Sequence, residues 1–214
     1  MLKISLVLTA LMSSFLCHAG SLTVMLSSKE GKPLANAVVY LESSSSASSY
    51  SGKDVAIMDQ VNRQFSPYIL PVQKGQSVAF PNSDSIKHHV YSFSPAKVFE
   101  LQLYKGVTAK SVIFDKSGIV ELGCNVHDWM LGYIFVADNP YFAQTDKKGN
   151  ATIEAPDGEY KLKVWHSRVA EQDKEKAMTV KLAGKQSANI QLSEALAEDT
   201  AYYEEEQDEF SAYE

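Results

Sequence analysis

Apolar and polar residues alternate in short runs along most of this chain, and turn residues interrupt them about every ten positions. Successive side chains of a strand point to opposite faces, so a period of two predicts strands. The runs fall at 21–25, 35–41, 68–72, 77–80, 88–93, 98–103, 110–114, 119–124, 132–137, 151–154, 159–166, 178–182 and 188–192. In 159–166, Lys161, Lys163 and Trp165 alternate with Leu162, Val164 and His166, which gives one apolar face. Between the runs stand Gly, Pro, Asn and Asp, the residues that turns require. Lys74-Gly75-Gln76 reads as a hairpin-like turn, and Pro81-Asn82-Ser83-Asp84 as another. No convincing amphipathic helix occurs between 55 and 137. The expected fold class is all-β, a sandwich or barrel of short strands.

Two segments break the pattern. Residues 43–51 are dominated by serine and read as a flexible connector. Residues 194–214 hold nine acidic side chains and no Lys or Arg, the composition of a disordered tail. This tail dominates the formal net charge of −6: residues 1–193 carry 20 basic against 17 acidic side chains, a net of +3. The body is therefore near neutral, without the concentrated basic patch that nucleic-acid binding needs.

At the N-terminus, Lys3 precedes a mostly apolar stretch over 4–16, and Cys17-His18-Ala19 ends on a small residue. That is the layout of a secretory signal cleaved after Ala19, with an apolar run too short to span a membrane. The expectation is a periplasmic or secreted protein with no transmembrane segment after cleavage. Of the two cysteines, Cys17 goes with the signal and Cys124 remains. A lone thiol in an oxidising compartment has no internal disulfide partner, so its neighbours must explain it.

Those neighbours are Gly123-Cys124-Asn125-Val126-His127-Asp128-Trp129-Met130, a C-x2-H-x2-M arrangement. Upstream, Lys87-His88-His89-Val90 offers further imidazoles. A thiolate, two imidazoles and a thioether are the donors of a blue copper site. Val120, Leu122 and Cys124 share one face of their run, so the sulfur lies at the inward end of a strand, with His127 and Met130 on the following turn. Alternation likewise puts His88 and Val90 on one face. Either His88 or His89 can supply the fourth donor, and the resemblance set out below favours His88. Zinc seldom takes a thioether. A nucleophilic Cys124–His127 pair would leave Met130 without a role. His166 has no ligand-spaced companion and reads as structural. Trp129, between His127 and Met130, reads either as core packing or, with Leu131, as an apolar docking surface.

The stretch 65–137 resembles the blue copper cupredoxins, with a short His-to-Met gap like that of amicyanin. It also resembles exported cupredoxin-like proteins named after methylamine utilisation. These join the copper module to a small carboxypeptidase-regulatory-like β-sandwich. Gly31 to Leu41, and Thr145 to Gly149 with Gly158-Glu159-Tyr160, look like the two halves of that sandwich. The resemblance implies a cupredoxin Greek-key β-sandwich combined with a second small β-sandwich. It divides the chain into a signal peptide (1–19), a flanking sandwich in two segments (20–42 and 140–193), a Ser-rich linker (43–54), a copper domain (55–139) and the acidic tail (194–214). It implies one mononuclear type 1 copper on His88, Cys124, His127 and Met130, and a non-enzymatic one-electron carrier serving a redox protein or dehydrogenase. The alternatives are a copper-trafficking protein and a non-redox β-sandwich interaction module.

Overall fold

The computed structural model describes residues 19–43, 49–106 and 111–198. The expected signal peptide through residue 18, the middle of the serine run, Lys110 and the acidic tail from 199 onward lie outside these residues.

In chain order the strands are β1 (Ala19–Ser27), β2 (Val38–Glu42), β3 (Val55–Ile57), β4 (Asp59–Val61), β5 (Gln64–Ser66), β6 (Ile69–Gln73), β7 (Ser77–Ala79), β8 (His88–Ser94) and β9 (Lys97–Tyr104). There follow β10 (Val112–Ile113), β11 (Gly118–Leu122), β12 (Gly132–Ala137), β13 (Phe142–Gln144), β14 (Asn150–Pro156) and β15 (Gly158–Trp165). A helix α1 (Glu171–Glu175) precedes β16 (Met178–Leu182) and β17 (Lys185–Gln191). The protein is all-β, as the alternation predicts, and α1 is its single short helix among the described residues.

The sheets sort by sequence position. β14-β1-β17 and β13-β2-β15-β16 draw only on strands before residue 43 and after 141. The sheets β10-β7-β3, β11-β12-β6, β4-β5 and β8-β9 draw only on strands between them. Each group encloses its own core. The outer group buries Leu22, Val24, Leu26, Val39, Leu41, Ile153, Leu162 and Leu182. The inner group buries Met58, Phe80, Val90, Phe114, Val120, Leu122, Cys124, Met130 and Ile134. In β1 the alternation is strict: Leu22, Val24 and Leu26 are fully buried while Met25 between them is 52% exposed. Each such buried aliphatic side chain contributes roughly 1.5–3 kcal/mol.

Two local expectations change. The tight turn at Lys74-Gly75-Gln76 forms, with Gln76 N–H donating to the Gln73 carbonyl at 2.9 Å and Gly75 at φ +93°. It does not close a hairpin, because β6 and β7 leave it into different sheets. In β15 the face of Lys161 and Lys163 is solvent-facing only at its start. Trp165 on the same face is 7% exposed, since it packs with Val38, Ile69, Phe135 and Ala137 in a third cluster that joins the two cores. His166 is buried, and its Nδ1 accepts the Arg168 amide at 3.1 Å.

Candidate metal centre

Strand β11 runs antiparallel to β12 and ends at Leu122. Gly123 then exchanges two backbone hydrogen bonds with Tyr91 on β8, at 3.0 and 3.1 Å. This pair anchors the start of the loop and sends the Cys124 side chain into the inner core, continuing the buried face of Val120 and Leu122. Gly123 suits this close approach, because a Cβ would stand 2.6 Å from Cζ of the Tyr91 ring, which would have to shift. The loop closes with the Met130 amide donating to the His127 carbonyl at 3.0 Å. Gly132 then lets β12 approach β5: a Cβ there would lie 2.7 Å from Cβ of Phe65.

The structure brings His88, Cys124 and His127 together. One donor atom from each lies within 4.8 Å of the other two, and all three residues are buried. Cys124 Sγ is 3.9 Å from His127 Nδ1. The His88 and His127 rings are 4.9 Å apart at 60°. Met130 is 1% exposed and lines, with Cys124, a cleft of about 430 Å³ that also takes in Tyr91, Phe93, Glu121 and Leu131.

His89 points elsewhere. Its Nε2 lies 2.9 Å from a Glu100 carboxylate oxygen, and its ring sits 5.6 Å from that of Tyr91. Alternation predicts one inward and one outward histidine, yet both are buried. The pairing of β8 with β9 shifts register between His88 and Val90, and the outward ring is covered by Tyr91 and Glu100.

A carboxylate stands behind His88. Asp84 Oδ2 lies 2.7 Å from His88 Nε2, which leaves Nδ1 buried and without a hydrogen-bond partner. A buried, unpartnered ring nitrogen beside a thiol and a second imidazole is a donor set that suits a thiophilic transition metal. Imidazole and thiolate bonds to such ions run to about 2.0–2.3 Å, so donors sharing one ion lie up to ~4.5 Å apart. The group of three fits that limit after a shift of a few tenths of an ångström. Asp84 itself is held below the usual carboxylate range. Burial raises it, but hydrogen bonds from the Arg63 amide, the His88 ring and the Asn62 amide outweigh that.

Trp129 lies against His127, with ring centroids 5.3 Å apart, and both it and Leu131 are half-buried. The more exposed apolar side chains are Val126 in the same loop, at 51%, and Phe93 on the cleft wall, at 79%. Sequence reasoning passed over Phe93, Tyr91 and Asp84. The only signal for Asp84 is its position four residues before His88 in the Pro-Asn-Ser-Asp turn.

No protein family and no curated protein matches the chain by sequence. Solved structures do. A purple cupredoxin from Nitrosopumilus maritimus matches at 22% identity with a TM-score of 0.34, over 38% of this chain and 99% of its own. A reduced Cu(I) amicyanin variant matches at 20% identity and TM-score 0.36, over 46% of this chain and 98% of its own. A Cu-containing nitrite reductase from Thermus scotoductus SA-01 matches at 20% identity and TM-score 0.37, over 42% of this chain and 25% of its own. Each of these three matches covers less than half of this chain.

Proposed function

We propose that residues 55–139 hold one mononuclear type 1 copper ion and that the protein is an exported one-electron carrier for a partner redox protein. The observation that carries this reading is the buried convergence of His88, Cys124 and His127, with a ring nitrogen of His88 left unpartnered. Met130, buried beside Cys124, is the fourth donor of the proposal. Bound there, copper supplies one-electron chemistry between its cuprous and cupric states.

The chain's own residues do the rest. The Gly123–Tyr91 backbone pair and the His127–Met130 turn fix three donors on one loop, and β8 delivers the fourth. Burial at 0% for His88, 3% for Cys124 and 7% for His127 keeps bulk water from the donors. The same burial favours retention of the ion over its hand-off to another protein, which supports a carrier over a trafficking role. Trp129 and Leu131 form the proposed docking surface, beside the ring of His127. The flanking strands, which pair only among themselves, are read as the carboxypeptidase-regulatory-like sandwich of residues 20–42 and 140–193. The described residues contain no helix long and apolar enough to cross a membrane.

The test is direct. Purified protein loaded with Cu(II) is expected to show an intense thiolate-to-copper band and a narrow copper hyperfine splitting in EPR. Cys124→Ser is expected to abolish both. A colourless loaded protein, or a band that survives Cys124→Ser, overturns the reading.

A further inference from the structure

We propose that Asp84 is a positioning residue for His88: it fixes the ring with Nδ1 free for the metal, and its negative charge lowers the reduction potential of the site. This rests on the copper reading above and goes beyond it by assigning a residue outside the donor set.

The geometry builds upward from a hairpin. Strands β4 and β5 are joined by two residues, Asn62 and Arg63, both with positive φ (54° and 57°). That is the backbone of a type I′ turn, whose second position strongly prefers glycine. An arginine in the left-handed region is disfavoured, so surrounding contacts must hold it there. Asp84 supplies them. Its Oδ1 accepts the Asn62 amide at 2.7 Å and its Oδ2 accepts the Arg63 amide at 2.9 Å. On the other side, the Asp84 amide donates to Asn82 Oδ1 at 3.0 Å, and the Asn82 side-chain amide is tied to the carbonyls of Ile86 and Tyr104 at 2.9 Å each. The carboxylate is therefore held by both amides of the hairpin turn, and its backbone by the anchored Asn82 side chain.

The oxygen that accepts the Arg63 amide also faces His88 Nε2 at 2.7 Å, and the His88 side chain is fully buried. A carboxylate accepts hydrogen bonds, so the ring proton belongs on Nε2 and the lone pair on Nδ1. Hydrogen bonds of this kind orient a ligating imidazole and raise its basicity. A partly buried negative charge one ring away also favours the more highly charged oxidised ion.

Two measurements test the assignment. In metal-free wild-type protein, nitrogen-15 NMR of labelled histidine is expected to show His88 as the neutral Nε2–H tautomer. An Nδ1–H tautomer overturns the proposal, and this arm needs neither copper nor a folded variant. In copper-loaded protein, Asp84→Asn keeps an oxygen acceptor for Nε2–H but removes the charge. The ratio of cupric to cuprous affinity is expected to fall at least tenfold, a rise in potential of about 59 mV or more. Asp84→Glu, which restores the charge, is expected to recover part of that rise. A blue Asp84→Asn protein with the wild-type potential overturns the proposal. A wild-type protein that never turns blue instead removes the copper reading, while the tautomer still reports on Asp84.

Discussion

Two adjacent histidines on β8 face different surroundings, and a register shift there accompanies the burial of both. His88 faces Cys124 and His127, whereas His89 lies beside Tyr91 and Glu100. If copper sits among the first three, His88→Ala should abolish the blue band. His89→Ala should leave its position within a few nanometres, since it removes only an imidazole bonded to a 59% exposed Glu100 side chain. Visible spectra of both loaded variants decide this, and the opposite pattern would put His89 in the site. The cluster of Cys124, His127 and Met130 was legible because thiol, imidazole and thioether in one loop leave few other uses. Analogy, with alternation in agreement, is what favours His88 over His89 in the sequence. Alternation assigns one inward residue, but the register shift at this point buries both. Asp84 was not legible at all, because a carboxylate in a turn is ordinarily a solvated turn-former. What makes this one different is the hairpin tip that reaches over it.

That hairpin shows what escaped at the level of elements. Asp59 to Ser66 is mostly polar and carries Asn-Arg where a two-residue hairpin usually has Asn-Gly, so neither periodicity nor turn chemistry announced β4 and β5. The long run of β1 was legible because packing and pattern agree there, whereas β12 is apolar throughout and buried on nearly every position. Helix α1 is another miss, five residues long and without a side-chain cap. It is held by one buried carboxylate. Asp173 accepts the Ser193 amide and hydroxyl, the latter at 2.7 Å, the Glu194 amide at 2.9 Å and the Lys176 ammonium at 2.9 Å. Burial raises its pKa, but the Ser193 hydroxyl, Lys176 and the two amides more than offset this, and the carboxyl is held well below its usual range. A depressed folded-state pKa contributes stability that is complete above the unfolded value of about 3.9 and is lost as pH falls through the folded value. Asp173→Asn should therefore cost about 1–3 kcal/mol at pH 7. The difference from wild type should shrink steadily below about pH 4. Urea titrations at pH 7 and pH 2.5 test the sign: an equal difference at both would show that the charge of Asp173 is not what holds the helix.

On the scale of the whole molecule, the two sets of sheets share no strand but are not independent. Val38 and Trp165 from the outer sheets interlock with Ile69, Phe135 and Ala137 from the inner body. Trp165 sits 5.6 Å from the Tyr133 ring and 5.8 Å from that of Phe135. Tyr133 and Phe135 lie on β12, the strand that follows the Cys124–Met130 loop, so this joint braces the strand that carries the loop's far end. Removing a buried tryptophan typically costs 3–5 kcal/mol, and here the loss falls on the contact between the cores. Wild-type protein should unfold in one transition, with fluorescence and far-ultraviolet circular dichroism coinciding. In Trp165→Ala the only remaining tryptophan is Trp129, beside His127, so its fluorescence reports on the inner body alone. Circular dichroism still reports on both sets of sheets. The two curves should then separate, with part of the dichroism lost at a denaturant concentration where Trp129 is unchanged. Curves that coincide in the variant as they do in wild type would mean that the outer sheets are coupled to the inner body by contacts other than this aromatic joint.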